Sequence, residues 1–146
     1  MVSETNERTS EMISLYFKMT GNIERIGDHA VNICDYTKII ENKEIKFSRQ
    51  ARAELKEMKQ ICHNMFCYFQ REIQDTKKWL EDLHEMERFV DAKTKEFYDS
   101  HLRRMKRGEC NDEACIIYSE MLVDFERIGD HLWNMAKAMR EIAAEV

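Results

Sequence analysis

The N-terminal part of the chain carries apolar side chains at the spacing of a long amphipathic helix. Between residues 16 and 40 these positions recur in steps of three and four residues, at Tyr16, Met19, Ile23, Ile26, Ala30, Ile33, Thr37 and Ile40. Such steps place side chains on one face of an α-helix, as a heptad stripe. We therefore predict a first helix over roughly residues 4–41.

A polar stretch at residues 41–44 ends the first helix, and Ser48 is a suitable N-cap for a second helix. A serine hydroxyl in that position accepts a hydrogen bond from a free N–H group of the first turn. The second helix is predicted to bury another set of apolar side chains, at Leu55, Met58, Cys62, Met65, Phe66, Phe69 and Ile73.

Two more helices follow in the remaining sequence. Asp75 or Thr76 is the expected N-cap of a third helix, which ends in a basic run before Gly108, the expected C′ residue. Asn111 or Asp112 then caps a fourth helix that continues to the C-terminus. Because the chain has no proline and only four glycines, few other positions interrupt a helix. The predicted fold is an all-α antiparallel bundle of four long helices.

An internal repeat relates the first and fourth helices. Residues 11–34 align with residues 113–136 at a constant offset of 102, and ten of the 24 positions are identical. The identical pairs are Glu11/Glu113, Tyr16/Tyr118, Met19/Met121, Glu24/Glu126, Arg25/Arg127, Ile26/Ile128, Gly27/Gly129, Asp28/Asp130, His29/His131 and Asn32/Asn134. Similarity at a fixed offset indicates a duplicated structural unit.

The repeat also suggests how the chain is organised. We predict a single helical domain over residues 1–146, in which residues 1–42 form the last helix of a first three-helix unit and residues 43–146 form a complete second unit. The two opening helices of the first unit are then expected outside this chain, so we expect a fragment or a protein shortened at its N-terminus.

Composition and charge restrict the classes of partner. The net charge of -5 repels phosphate backbones, so we expect no nucleic-acid binding and regard cations as the natural small partners. No apolar run approaches the roughly 18 residues of a membrane span. Residues 1–6 also lack the basic and apolar segments of a secretory signal, so we expect a cytoplasmic location.

The five cysteines are odd in number and lie among helical residues, at Cys34, Cys62, Cys67, Cys110 and Cys115. This pattern favours free thiols in a reducing compartment. The spacing of Cys62 and Cys67 also differs from the two-residue knuckle of structural zinc sites. We therefore expect the cysteines to act as small buried hydrophobic residues rather than as metal ligands.

The sequence Glu-Arg-Ile-Gly-Asp-His occurs twice, at residues 24–29 and 126–131. Its glutamate and aspartate are four residues apart and therefore share one helix face. Like charges at that spacing cost a few tenths of a kcal/mol, and a glycine inside a helix costs about 1 kcal/mol. A bound cation would relieve the repulsion, and the glycine would allow close approach of a neighbouring helix or a ligand.

A third copy of the carboxylate spacing, at Glu87 and Asp91, lies on the third helix. If the third and fourth helices form a hairpin that turns near Glu109, then Asp91 is 18 residues before the turn and Glu126 is 17 after it. Glu87 and Asp130 are likewise 22 before and 21 after. The four carboxylates are therefore predicted to meet as an oxygen-rich cluster suited to iron, manganese, magnesium or calcium, with His131 at its margin.

Two simpler interpretations remain open for these residues. Charged pairs on helix surfaces are usually solvated, and any metal here would lie on the outside of the bundle because the carboxylates avoid the main apolar stripes. His29 and His131 directly follow the two aspartates but point to another side of the helix. A hydrogen-bonding or interface role for these histidines is as well supported as a ligand role.

Taken together, these residues resemble the PhoU family, whose signature is a glutamate or aspartate followed, after three intervening residues, by an aspartate in each of two three-helix bundles. The stretch from Ser100 to Ala114, running on to Phe125 and through 126–131, is similar to the cytoplasmic C-terminal PhoU-like domain of bacterial sodium/phosphate cotransporters. Phe47-Ser48 followed by residues 54–58 is similar as well. The resemblance covers essentially the whole chain.

The resemblance implies a non-enzymatic, metal-binding regulatory domain of phosphate uptake, tethered to the inner face of the plasma membrane by an upstream transporter portion. The implied metal ligands are Glu87, Asp91, Glu126 and Asp130, with Glu24 and Asp28 as a second site that lacks its partner helix here. Iron is the expected metal, ahead of zinc, manganese and magnesium. The sequence departs from the family at Leu132-Trp133 and at Cys115, which suggests altered packing beside the site.

Two other functions compete with this one. The first is a metal-independent helical adaptor or homodimer, since an apolar stripe left uncovered on the first helix favours docking. The second is a carboxylate-bridged di-iron oxidase, which needs two Glu-x-x-His pairs on separate helices. The chain offers only the pair Glu81 and His84, so an oxidase is disfavoured.

Overall fold

The structure of the protein is a computed structural model that describes residues 2–145, with side chains described for residues 6–144. The described residues contain four helices and no strand: α1 (Val2–Asn42), α2 (Arg49–Phe69), α3 (Thr76–Lys106) and α4 (Asp112–Glu145). The prediction of an all-α bundle of four long helices is confirmed. Met1 and Val146, at the ends of the predicted unit 1–146, lie outside the described residues.

The helices begin and end where the predicted capping residues stand. The side chains of Ser48, Asp75 and Asn111 each accept a hydrogen bond from the backbone N–H three residues later, at the starts of α2, α3 and α4. Gly108 follows the C-cap of α3 with a φ of +66°, a left-handed conformation that glycine adopts without steric cost. The boundaries therefore follow from local chemistry.

α2, α3 and α4 pack together as a three-helix bundle with one apolar core. Short connections make α3 antiparallel to both α2 and α4, which leaves α2 and α4 parallel. The most deeply buried side chains come from all three helices and include Met58, Met65, Leu83, Val90, Tyr118, Leu122 and Leu132. Burial of this apolar surface is the main stabilising contribution to the bundle.

α1 lies antiparallel along the outside of α4. Lys43, just after α1, pairs with Glu113 in the first turn of α4, while His29 contacts Asp124 and Asn22 contacts His131 farther along. Among the residues that the structure describes, α1 packs on α4 and does not approach α2 or α3. One long face of α1 is consequently exposed.

The seam between α1 and α4 uses only half of the predicted stripe. Four apolar residues of the predicted stripe are half-buried at the seam: Met19, Ile26, Ile33 and Ile40. Tyr16, Ile23, Ala30 and Thr37 are instead exposed, because the alternating positions of the seam are taken by Leu15, Asn22, His29 and Tyr36. The helix is turned so that polar side chains can pair with α4, which the apolar pattern did not reveal.

Two other predictions are corrected by the structure. Phe66 is exposed, since it neighbours buried Met65 and therefore points to another side of α2, and Ile73 lies beyond the end of that helix. Cys110 and Cys115 form a disulfide rather than free thiols, because the turn between α3 and α4 brings their Cα atoms to 6.1 Å.

The remaining cysteines match the expectation of free thiols in part. Cys34, Cys62 and Cys67 are free, but only Cys62 is buried.

Within residues 2–145, no helix has an apolar stretch long enough to cross a bilayer.

Candidate metal centre

The α3–α4 hairpin brings the acidic positions of both helices to the same level. The rings of His84 on α3 and Trp133 on α4 stack with centroids 4.8 Å apart, and Val90 of α3 faces Gly129 of α4. These contacts establish the register predicted by counting from the turn near Glu109. Carboxylates from the two helices can therefore share one site.

Three of the predicted ligands converge in this hairpin. One carboxylate oxygen from each of Glu87, Asp91 and Asp130 lies within 4.8 Å of the other two. Glu87 and Asp130 are half-buried, whereas Asp91 is exposed, so the cluster opens to solvent on one side. An arrangement of three anionic oxygens from two helices fits cations that prefer oxygen ligands.

Glu126 is placed next to this cluster, although its carboxylate is not one of the three converging groups. Burial raises the pKa of Glu126, and the charges of Asp130 and Asp91 raise it further, while Arg127 acts in the opposite direction. Electrostatic influence of that kind requires proximity. Glu126 is therefore near enough to interact electrostatically with the cluster.

The protonation equilibria show what the clustering costs in the absence of a cation. Burial raises the pKa of Glu87, and Asp91 and Asp130 add to the increase. Partial desolvation likewise raises the pKa of Asp91, although this side chain is exposed at one side of the cluster, and the charge of Asp130 adds to the increase. The site therefore disfavours its own fully ionised state, and a bound cation would reverse that preference.

Neighbouring positive groups offset this repulsion only partly. His84 and Lys137 act to lower the pKa of Glu87, but less than burial and Asp91 raise it. Arg127 lies 3.4 Å from Asp130, within the same helix and at the surface. Exposed pairs of this type contribute little, and the pKa of Glu87 remains raised despite its positive neighbours.

Gly129 allows the two helices to approach closely beside the carboxylates. A Cβ atom at this position would lie 3.1 Å from Cγ1 of Val90, closer than side chains normally pack. The glycine inside the helix is thus explained by the approach of α3, which carries Glu87 and Asp91.

The first copy of the motif has different surroundings. Glu24 and Asp28 are exposed on α1, and neither belongs to a group of three potential ligands among the described residues. Outside its own helix, no described atom lies within 4 Å of the place where a Cβ would stand at Gly27. The structure therefore does not bring Glu24 and Asp28 to the cluster on α3 and α4.

The histidines that follow the two aspartates form part of the α1–α4 seam. His29 and Asp124 share a hydrogen bond of 2.6 Å, and Asn32 donates a second one to the same carboxylate. His131 contacts Asn22 at 2.9 Å, and the two imidazole rings stack with centroids 5.6 Å apart. Both histidines are interface residues, and neither is among the converging ligands.

This seam reflects the internal repeat. His29 and His131 are equivalent under the offset of 102 residues, and so are their partners Asn22 and Asp124. His29 of α1 contacts Asp124 of α4, and the equivalent His131 of α4 contacts the equivalent Asn22 of α1. The two contacts are therefore related by an approximate two-fold axis between α1 and α4. Sequence reasoning missed this pairing, although the polar residues at two seam positions of α1 were a visible signal.

A buried polar network in the bundle was also missed. Arg104 pairs with Glu54 at 2.8 Å, and Ser100 and Tyr118 donate hydrogen bonds to the same carboxylate. Although burial alone would raise the pKa of Glu54, these hydrogen bonds lower it overall. Arg104 belongs to the basic run in the last turn of α3, and it is buried in the bundle.

Comparisons with known proteins agree with this architecture. The sequence matches the family model described as PhoU domain over residues 1–37 and 55–139. It is 27% identical over 128 residues to the phosphate-specific transport system accessory protein PhoU homolog 1 of Thermotoga maritima. The match covers 82% of this chain and 51% of the relative, so the chain spans about half the length of that protein. No solved structure matches the sequence.

Proposed function

The chain belongs to the PhoU domain family, and we propose that it is a metal-binding regulatory domain of phosphate uptake. The observation that carries the metal role is the convergence of Glu87, Asp91 and Asp130 from two helices, with Glu126 beside them. Folding places these carboxylates where their ionised forms repel one another, and a multivalent cation would relieve that repulsion.

The donor set favours a cation that accepts oxygen ligands. Carboxylates suit iron, manganese and magnesium, and they also bind zinc. We propose iron first, with zinc, manganese or magnesium as alternatives. Because Asp91 is exposed at one side of the cluster, a bound ion would remain accessible to a further ligand from solvent.

The link to phosphate uptake is supported by the relative and by the sequence itself. The Thermotoga maritima protein is described as an accessory protein of phosphate-specific transport. Residues 100–131 resemble the C-terminal PhoU-like domain of sodium/phosphate cotransporters. We propose that this domain acts on a membrane phosphate transporter from the cytoplasmic side, joined to its upstream portion, and that its role is regulatory rather than catalytic.

The metal role is tested with two double variants that remove the same charges from different helices. Glu87→Gln/Asp91→Asn alters the α3 part of the cluster, and Glu24→Gln/Asp28→Asn removes the matched pair from α1. At an iron or manganese concentration 100 times the dissociation constant, a single site stabilises the folded state by about 2.7 kcal/mol. We expect that gain in the wild type and in the α1 variant, and its loss in the α3 variant, by urea unfolding.

Elemental analysis of the purified proteins completes the experiment. Metal should co-purify with the wild type and the α1 variant at similar stoichiometry. If the wild type contained no metal and gained no stability from iron, manganese or zinc, the metal role would be wrong. Equal losses in both double variants would indicate nonspecific attraction by charge instead of a site on α3 and α4.

The regulatory role needs a separate measurement in cells. Uptake of radiolabelled phosphate is compared between cells that carry the wild-type gene and cells that carry the α3 double variant in the full-length protein. We expect the variant to change how uptake responds to external phosphate, whereas the α1 variant should behave as wild type. Unchanged regulation with a protein that has lost its metal would separate metal binding from phosphate control.

A metal-independent adaptor or homodimer remains the second candidate, and the exposed face of α1 favours it. Phe17 is 75% exposed, and Tyr16, Ile23 and Val31 are exposed on the same helix. Apolar surface of this extent commonly marks a docking site. Light scattering on the purified chain should then show a dimer that Phe17→Glu dissociates, whereas a strictly monomeric wild type would count against this function.

A further inference from the structure

A second group of potential metal ligands lies at the turn between α3 and α4, apart from the acidic cluster. It consists of His101 on α3, Cys110 in the turn and Cys115 in the first turns of α4, with one ligand atom of each within 4.8 Å of the others. His101 is ten residues beyond Asp91 on the same helix, which corresponds to roughly 15 Å along its axis. The two groups are therefore separate sites.

The histidine supplies an observation independent of the cysteines. His101 is only 3% exposed, and its Nε2 atom finds no hydrogen-bond partner among the described residues. A buried polar atom without a partner is unfavourable and calls for an explanation. A metal ion coordinated by the imidazole would satisfy it.

The two sulfur atoms are already held together by the disulfide between Cys110 and Cys115. A disulfide cannot ligate a metal as thiolates do, so the site exists only in the reduced protein. Around a tetrahedral zinc ion, sulfur and nitrogen ligands are separated by roughly 3.5–4 Å, as follows from the bond lengths. The two sulfur atoms must therefore move apart after the disulfide is reduced. Cys110, half-buried in a turn, can move more readily than Cys115, which is 5% exposed on a helix.

Access for an ion is provided by a groove beside the same residues. The groove has a volume of about 410 Å³ and is lined by His101 and Cys115 together with Met105, Asp112 and Glu120. Its two acidic side chains attract cations towards the opening. The protein supplies three ligands, and a water molecule from the groove can serve as the fourth ligand of a tetrahedral site.

We propose that reduction of the Cys110–Cys115 disulfide opens a zinc site formed by His101, Cys110 and Cys115. A dithiol reductant transfers two electrons and two protons to the disulfide and is itself converted to a disulfide, leaving two protein thiols. Zn²⁺ then binds both sulfur atoms as thiolates and displaces two protons into water. The site thus couples zinc binding to the thiol redox state, independently of the proposed function of the acidic cluster.

Cobalt is the probe for the first test, since Co²⁺ bound by thiolates gives a charge-transfer absorption that carboxylate ligands do not produce. The full chain is titrated with Co²⁺ after reduction by a dithiol and again in the oxidised state. In the reduced protein, we expect a thiolate band that saturates at one equivalent of Co²⁺ and disappears when Zn²⁺ displaces the Co²⁺. We expect no such band in the oxidised protein.

Three variants locate the site. Cys110→Ser should abolish the band, and His101→Asn should weaken cobalt and zinc binding by more than about 100-fold, since even loss of an outer-shell partner costs 10 to 100-fold. Cys67→Ser is the matched control: Cys67 is exposed, with its sulfur 3.5 Å from Nε2 of His63, and its removal should leave the band unchanged. Circular dichroism checks folding, and His101→Gln replaces His101→Asn if the latter does not fold.

Several results would overturn the proposal. The absence of a thiolate band in the reduced protein would do so, as would a band that disappears with Cys67→Ser. Zinc binding that is unaffected by either His101 variant would exclude the histidine as a ligand. Resistance of the disulfide in the folded protein to dithiol reduction would make it a purely structural bond.

Discussion

Two copies of Glu-Arg-Ile-Gly-Asp-His occupy the same chain in contrasting environments. On α4 the second copy faces α3, so that Asp130 meets Glu87 and Asp91 and Gly129 contacts Val90. On α1 the first copy, at residues 24–29, has its carboxylates exposed and its glycine in open surroundings. Among the described residues, only the second copy faces the carboxylates of α3, so the identical hexapeptides contribute differently.

The contrast extends beyond the hexapeptides to the rest of each repeat. Tyr118 is 1% exposed and donates a hydrogen bond to Glu54, whereas its equivalent Tyr16 is 54% exposed. Some side chains are thus identical in the two repeats but lie in different environments on α1 and α4. Matched substitutions at equivalent positions measure what the α2–α3 pair contributes to one copy and not to the other.

The largest difference is expected between Tyr118→Ala and Tyr16→Ala. Truncation of a buried aromatic residue costs about 3–5 kcal/mol, and here it also removes a hydrogen bond from Glu54. An exposed residue usually changes stability by less than about 0.5 kcal/mol. Urea unfolding followed by circular dichroism at low protein concentration compares both variants with the wild type.

Similar losses in the two tyrosine variants would contradict the comparison. That result would mean that the exposed face of α1 is covered in solution, for example by a second copy of the chain. A dependence of the Tyr16→Ala effect on protein concentration would identify that case, since association stabilises the folded state by mass action.

The two glycines should respond differently to alanine. Gly27→Ala is expected to increase the free energy of unfolding by roughly 0.5–1 kcal/mol, because alanine loses less backbone entropy and nothing obstructs its Cβ. In Gly129→Ala the new Cβ would press on Val90, and overpacking of this kind costs about 1–3 kcal/mol. We expect no gain, or a loss, in denaturant unfolding.

A companion variant shows whether Val90 is the cause. Adding Val90→Ala to Gly129→Ala creates room for the Cβ, so the double variant should be more stable than the sum of the two single effects predicts. Simple additivity would mean that α3 adjusts without strain, and the close approach at Gly129 would then not matter for stability.

The smallest expected effect concerns the charges of the cluster in metal-free protein. Burial and neighbouring carboxylates raise the pKa of Glu87 and Glu126, so folding favours their protonated forms. These groups therefore stabilise the folded state below about pH 4, the ordinary carboxyl pKa that they have in the unfolded chain. This stabilisation is lost as the pH rises through their raised pKa values in the folded state. Asp91→Asn should reduce that loss by a few tenths of a kcal/mol at neutral pH.

Asp28→Asn is the control for this measurement, since Asp28 is also an exposed aspartate of the same motif spacing but lies on α1 and is not among the converging carboxylates. Unfolding is measured in the presence of a chelator between pH 4 and pH 8. A pH profile that Asp28→Asn alters as much as Asp91→Asn would show that the effect arises from net charge and not from the cluster.

Much of the site could be anticipated because it depends on features close together in the sequence. Counting outward from the turn near Glu109 placed Glu87 opposite Asp130, and a short hairpin leaves little freedom to change that register. His101 and the two cysteines were not anticipated, because their grouping depends on how the turn folds over the end of α3. The function of either group in metal binding stays a prediction.

The sequence by itself determined the helices, their capping residues, the repeat and the level at which α3 meets α4. Those features depend on local geometry: the periodicity of a helix, the hydrogen bonds of its first turn and the left-handed conformation at Gly108. Only the tertiary structure decided which face of α1 packs on α4, and which of two identical acidic motifs gains a partner helix. Local sequence specifies a helix face, but the energy of docking depends on residues that the neighbouring helix supplies.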